Sequence, residues 1–272
     1  MTGEEPEVVG AYSEAGGVGK TMTAISIAVA YALEHPDEEV LLGDLDPRSS
    51  ASKWTGARPS EPGMSMGAII GNDDVEGWAD ELAVQLDPSK GWPENLRVIP
   101  SERSLANHEK SPDDHAEQRL RRSLVGTNAG LVVFDFPNRQ GGVLTLNGLT
   151  ACKRIVYSAK PNEDGLDGVD GGKVTVRKFK KYRSEAGIPG DLPQEMGIAL
   201  AAAYKGAVWT RDALRAIKEF ERTSPGMLLT PYVEDLTIVQ ECKAAGEFYG
   251  KYSKGKGVLA AYRELTFKKV LV

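Results

Sequence analysis

Only two cysteines occur in the 272 residues, Cys152 and Cys242, far apart and without a metal-ligand spacing. That scarcity argues against a disulfide framework or a cysteine-held metal cluster and suits a reducing cytoplasm. Long apolar runs are also missing, and none approaches the roughly 18 residues of a membrane span. The first residues, Met1 to Glu7, are acidic and polar, unlike a secretory signal. No repeat, low-complexity tract or linker separates a second domain. The expectation is a frayed segment 1–7 and one domain over 8–272, a size that a single α/β core commonly reaches. Aromatic residues make up 7% of the chain, and Trp54, Trp78, Trp92 and Trp209 stand apart from one another. They read as packing residues rather than as platforms for stacked bases.

Charge is present but unevenly spread. Residues 1–150 carry 12 Lys and Arg against 24 Asp and Glu, whereas residues 151–272 carry 21 against 15. The net charge of -6 therefore hides a basic second half. Such a chain binds polyanions if its basic groups share a face, and otherwise simply carries solvated lysines.

Apolar segments alternate in type along the chain. Val8–Tyr12, Val40–Leu42, Leu96–Ile99, Leu131–Phe134, Arg154–Tyr157, Met196–Ala201 and Met227–Leu229 read as strands. Thr21–Leu33, Val75–Leu86, Ala116–Leu124, Leu166–Arg183, Thr210–Arg222 and Val258–Leu265 read as helices. Strands that are apolar throughout and alternate with helices predict an α/β fold. Its sheet is mostly parallel and twisted, with helices on both faces.

Gly16-Gly17-Val18-Gly19-Lys20-Thr21 lies between a predicted strand and a predicted helix. Glycines let successive backbone N–H groups turn inward around an anion, and the helix that follows adds its positive end. In that setting Lys20 neutralises phosphate oxygens and the Thr21 hydroxyl is a Mg²⁺ ligand. Met22 completes the nucleotide-binding set. Asp135 closes the strand Leu131–Phe134, where ligands of parallel sheets sit, and is the second expected Mg²⁺ ligand. Asp44 and Asp46 are two apart, so in an extended segment they project to one side. The alternative for both is turn formation before Pro47.

The general phosphate-loop pattern is not met, because Glu14 stands where its first glycine belongs. From Gly16 onward the loop resembles the deviant form of the ParA/MinD superfamily. Further segments resemble that family's motifs in the same order: Asp44-Leu45-Asp46-Pro47-Arg48, Val132-Val133-Phe134-Asp135-Phe136-Pro137, Leu144-Thr145-Leu146-Asn147-Gly148-Leu149, Thr230-Pro231-Tyr232-Val233 and Tyr252-Ser253-Lys254-Gly255-Lys256-Gly257. The resemblance implies a P-loop ATPase that binds ATP or ADP with Mg²⁺. Asp46 would position the attacking water or a Mg²⁺-bound water, with Asp44 in support and Lys20 at the phosphates. Pro231, Tyr232 and Val233 would contact the base. It further implies a homodimer formed on ATP binding and non-specific DNA binding. A ParB-like or adaptor partner would stimulate hydrolysis, and the location would be the cytoplasm at the nucleoid. The function so implied is partition of DNA such as a plasmid or chromosome, with a protein cargo or a nucleotide-binding scaffold as alternatives.

One position departs from the family. The signature lysine that precedes the glycine pair, and reaches the partner's phosphates, is Ala15 here, after Glu14. Another cation substitutes (Arg48 and Arg139 are the candidates), or hydrolysis is very slow, or dimerisation depends on other contacts. Certain carboxysome-positioning relatives also lack that lysine. For DNA, the candidates are Arg177, Lys178 and Lys181, with Lys180 and Arg183 on the same predicted helix, and the stripe Arg211, Arg215 and Lys218 at i, i+4, i+7. The tail Phe267–Val272 is short and β-branched, a poor interfacial helix, so no membrane role is expected. Neither cysteine matches an iron–sulfur motif.

Overall fold

The computed structural model describes residues 5–109, 113, 115–188, 190–206 and 208–272. In chain order its elements are β1 (Glu7–Tyr12), α1 (Lys20–Glu34), β2 (Glu39–Asp44), α2 (Ser50–Thr55), α3 (Met66–Gly71), α4 (Trp78–Glu81), β3 (Val84–Gln85), β4 (Leu96–Ile99) and α5 (Arg119–Ser123). There follow β5 (Ala129–Asp135), α6 (Gly142–Ala151), β6 (Arg154–Ala159), α7 (Glu163–Glu185), β7 (Gln194–Leu200), α8 (Arg211–Thr223), β8 (Leu228–Leu229), α9 (Thr237–Ala245) and α10 (Lys256–Leu265).

The strands form one sheet in the order β3-β4-β2-β5-β1-β6-β7-β8. Every pairing is parallel except β3 with β4. Successive strand residues point to opposite faces, and both faces are dry. On one side Val9, Ala11, Val40, Leu42, Leu131 and Val133 pack under α1, α9 and α10. On the other side Val8, Tyr12, Leu41, Val132 and Phe134 pack under α3, α5, α6, α7 and α8. This is the expected α/β sandwich, and continuous burial of β1 from Val8 to Tyr12 explains why its sequence shows no alternation.

Two sequence expectations need correction. Of the segment 1–7 expected to fray, residues 1–4 lie outside the described residues, and Glu7 is already strand, paired with Leu131. The helix expected over Val75–Leu86 shrinks to α4, because Gly77 takes a left-handed φ of 81° and β3 supplies an antiparallel partner to the edge of β4. Apolar residues at helical spacing there serve an edge strand as well. The tryptophans do serve packing: the Trp209 ring stacks on Tyr204 with centroids 4.8 Å apart and meets Tyr232 edge-on at 5.8 Å, and Trp92 lies 5.5 Å from Phe248.

The carboxyl-terminal tail docks on its own body. Val270 is buried in the core, and the Phe267 ring lies 6.2 Å from that of Tyr31 on α1. Among the described residues no helix is long and apolar enough to cross a membrane.

Candidate functional site

β2, β5 and β1 lie side by side at the centre of the sheet, and their carboxyl ends carry the chemistry. Beyond β1 the chain turns through Ser13–Gly19 into α1. Gly17 and Gly19 take φ values of 73° and 103°, in the left-handed region that favours glycine. At Gly19 space adds to the demand, since a Cβ would come within 2.5 Å of the Ala201 Cβ. α1 starts at Lys20 with no side-chain hydrogen bond capping it, so its first N–H groups are free for an anion. Val18 is buried, Gly16 and Gly17 are exposed, and Met22 is partly buried against the core.

Lys20 is almost fully buried, and its ammonium donates to the Ala15 carbonyl at 2.7 Å. Burial pulls the Lys20 pKa down, while the charges of Asp135 and Asp46 oppose the shift. The Thr21 hydroxyl donates to Asp135 Oδ2 at 2.7 Å.

Asp44 and Asp135 are register partners on adjacent strands, so both carboxylates are held side by side. Both are fully buried, and loss of solvation raises both pKa values above the ordinary carboxylate range. Their oxygens are treated differently. Asp44 is saturated, accepting from the Asp46 N–H (3.1 Å), the Ser52 N–H (2.8 Å) and the Ser52 hydroxyl (2.7 Å). Asp135 Oδ1 is buried with no hydrogen-bond partner. Asp46 accepts the Arg48 N–H on Oδ1 at 2.9 Å, and its carbonyl accepts from Ser101 Oγ at 2.9 Å.

An orphaned, buried carboxylate oxygen beside a threonine hydroxyl fits a hard divalent cation. Among the described residues no group of three or more His, Cys, Asp or Glu could cage a metal unaided. Mg²⁺ matches that sparse set, because it binds through one or two protein oxygens together with phosphates and water.

The remaining sequence candidates fall into place unevenly. Arg48 is exposed, and its Nη1 lies 4.0 Å from where a Cβ on Gly16 would be, so it faces the loop. Arg139 instead pairs with Glu109 (2.8 Å), and its carbonyl accepts from the Tyr12 hydroxyl at 3.1 Å. Pro231, Tyr232 and Val233 lie next to the end of β7, whose following residue Ala201 touches Gly19. The Val233 side chain, however, is buried in the core, and its N–H and carbonyl are bonded to Leu200 and Ala203. Arg177, Lys178 and Lys181 on α7 and Arg211, Arg215 and Lys218 on α8 are all exposed. Arg183 is not: it is buried, with its guanidinium over the Phe179 ring, and Lys180 is paired with Glu195 at 2.8 Å. Helical spacing predicted both as surface groups without showing which side of α7 meets the sheet.

Sequence reasoning missed four contributors. Ser52 saturates Asp44, and Ser101 donates through its N–H to Ser52 Oγ at 2.8 Å. Asn138 Nδ2 lies 3.1 Å from the same Cβ position on Gly16. The fourth is the glycine face of α7. A Cβ on Gly168 would come within 2.5 Å of Ala15 Cβ and Ser13 Oγ, and one on Gly171 would collide with the Glu14 carboxylate. Glu14 is itself tied to α7, accepting from Thr175 Oγ1 at 2.6 Å. The signal was present as Gly168, Gly171 and Gly172 within the long helix expected over Leu166–Arg183.

A family model described as AAA domain matches residues 7–186. The sporulation initiation inhibitor protein Soj of Bacillus subtilis is 29% identical over 180 residues, covering 65% of this chain and 67% of that protein. The chromosome partitioning protein ParA of Myxococcus xanthus is 27% identical over 262 residues, covering 93% and 85%. Among solved structures, an ATP complex of a variant of McdA from Cyanothece aligns with a TM-score of 0.81 at 17% identity, covering 98% of this chain and 96% of the other. The last likeness concerns the fold alone. On the matched family model and these relatives, the chain belongs to the AAA domain family, as a P-loop ATPase of the ParA/MinD type.

Proposed function

We propose that this chain is a Mg²⁺-ATP switch that positions DNA, dimerising and holding DNA while ATP is bound. The observation that carries the reading is the convergence at three neighbouring strand ends. Lys20, Thr21, the orphaned Asp135 oxygen and the Asp44–Asp46 pair surround the uncapped start of α1. Thr21 and Asp135 would hold Mg²⁺, which neutralises phosphate charge when bound. Lys20 would exchange the Ala15 carbonyl for phosphate oxygens. Asp46, almost fully buried and fixed by its turn to Arg48 and Ser101, orients the attacking water, and Asp44 holds that turn. Tyr232 borders the base. The exposed cations of α7 and α8 contact DNA phosphates, at the nucleoid, and a separate partner of ParB type accelerates hydrolysis.

Position 15 favours slow intrinsic turnover. Ala15 offers no cation, and the Glu14 carboxylate is held by Thr175 on α7, which suits a long-lived bound state that a partner ends. A protein cargo in place of DNA would use the same switch.

Sedimentation of the protein with Mg²⁺ alone, with ADP and with a slowly hydrolysed ATP analogue tests the reading. The expected result is a monomer-to-dimer shift with the ATP analogue only, abolished by Lys20→Ala. One oligomeric state under all conditions would overturn the switch and leave a nucleotide-binding scaffold.

A further inference from the structure

The loop Asp46–Ser49 is fixed at both ends, yet it projects one unengaged charge. The Arg48 N–H is held by Asp46 Oδ1, the Arg48 carbonyl accepts from Lys53 Nζ at 2.7 Å, and the Ser49 N–H donates to the Asp46 carbonyl at 2.7 Å. The backbone that carries Arg48 is therefore tied to the residue that faces the chemistry. Its guanidinium, by contrast, makes no ion pair or side-chain hydrogen bond among the described residues. It reaches Gly16 of the phosphate loop, where Nη1 and the Asn138 amide approach from two different segments. Its charge is felt at Lys20, whose pKa is lowered by burial first and by Arg48 as well.

An arginine left without a carboxylate in an acidic half of the chain, and aimed at an anion-binding loop, is the arrangement a polyanion completes. Its planar fork donates to two phosphate oxygens at once, which a lysine cannot do. Arg139 does not compete for this place, since Glu109 already neutralises it.

We propose that Arg48 contacts the nucleotide's phosphates in cis, within its own subunit, supplying the cation that position 15 lacks. The assignment rests on the reading of Gly16–Thr21 as an ATP site. Each subunit would then complete its own phosphate cradle, and nucleotide capture would precede and not require dimerisation.

The test is equilibrium binding of ATP, ADP and adenosine to the full chain and to Arg48→Ala, Arg48→Lys and Arg139→Ala, with thermal melts to confirm folding. Arg48→Ala is expected to weaken ATP about tenfold, the size of one charge-assisted contact, and adenosine not at all. Arg48→Lys should recover part of the loss, and Arg139→Ala should bind ATP like the parent. The effect should persist when the protein is diluted below the concentration at which it dimerises. Unchanged ATP affinity in Arg48→Ala, an equal loss for adenosine, or an effect confined to Arg139→Ala would overturn the proposal. An effect that vanishes on dilution would overturn the cis assignment in favour of a contact across the dimer. Failure of the parent chain itself to bind ATP would instead bring down the site reading on which the proposal rests.

Discussion

Asp135 is asked to do two incompatible things in the absence of a cation: stay buried and stay ionised. Burial, with the neighbouring Asp44 charge adding to it, raises its pKa from 3.8 to about 8. In the unfolded chain the same group ionises near its ordinary value of about 3.9. The folded state thus keeps a proton that the unfolded state has released, and the stability this contributes is lost as pH rises from about 4 through about 8. Asp135→Asn keeps an acceptor for Thr21 and never ionises. Its melting temperature, measured in a chelator, should exceed the parent's by a gap that widens between about pH 5 and about pH 8.5, with each kcal/mol worth about 2–4 °C. Added Mg²⁺ should narrow that gap, because only the parent has the carboxylate that binds it. A gap independent of both pH and Mg²⁺ would show that Asp135 is not the cation's ligand.

The elements explain how the loop is held from behind. α7 starts with Asn162 accepting from the Gly165 N–H at 2.9 Å and then lays Gly168 directly on Ala15. Gly168→Ala gains helix propensity of about 1 kcal/mol, but its methyl would lie 2.8 Å from the Ala15 backbone nitrogen. Such overpacking costs about 1–3 kcal/mol, and here it displaces the phosphate loop. The expected outcome is weaker ATP binding and a lower melting temperature. Gly257→Ala, on α10 with open space around the glycine, should change neither for the worse. Equal ATP affinity in the two variants would mean the loop does not depend on α7.

Much of this was legible before any coordinates. β4 was found over the same residues, and β1, α1, β5 and β6 were placed to within a residue or two, because buried parallel strands are apolar throughout and the glycine loop marks the turn between them. The short helices α2, α3, α6 and α9 left no clear signal. The turns of α2, α3 and α6 are rich in Ser, Thr and Gly, and all four helices are short enough to draw their stability from packing rather than from propensity. At the candidate site, Lys20, Thr21, Asp44, Asp46 and Asp135 stand out in the sequence because their motifs are local, and the structure brings them together. Ser52, Ser101 and the face of α7 come together only through tertiary contact.

At the scale of the whole molecule, the proposed DNA binding needs one exposed basic face, and α7 and α8 both carry cations. α7 and α8 are neighbours, tied by Lys173 Nζ donating to Ser224 Oγ at 2.6 Å. Their exposed cations differ in surroundings. Arg215 lines a concavity of about 590 Å³ together with Asp212, Glu219, Glu163 and Asp164, so carboxylates offset its field. Lys178 borders a largely apolar groove with Val174, Phe179 and Tyr182, in which Glu14 and Asp170 are the acidic groups, and Glu14 is engaged by Thr175. Among the described residues Lys181 pairs with the solvent-exposed Glu185 at 3.7 Å, a pairing of little strength. The α7 group is therefore the better phosphate-binding face. Replacing Arg177, Lys178 and Lys181 together by Ala should reduce the magnitude of the slope of log K against log salt by about 2.7 for duplex DNA of any sequence, at about 0.9 per phosphate contact. Replacing Arg211, Arg215 and Lys218 should reduce it less. Titrations of a fluorescent duplex at several salt concentrations, with the ATP analogue present, measure both slopes. A larger loss from the α8 variant would move the interface to α8, and unchanged slopes in both would exclude this side of the molecule from the DNA contact.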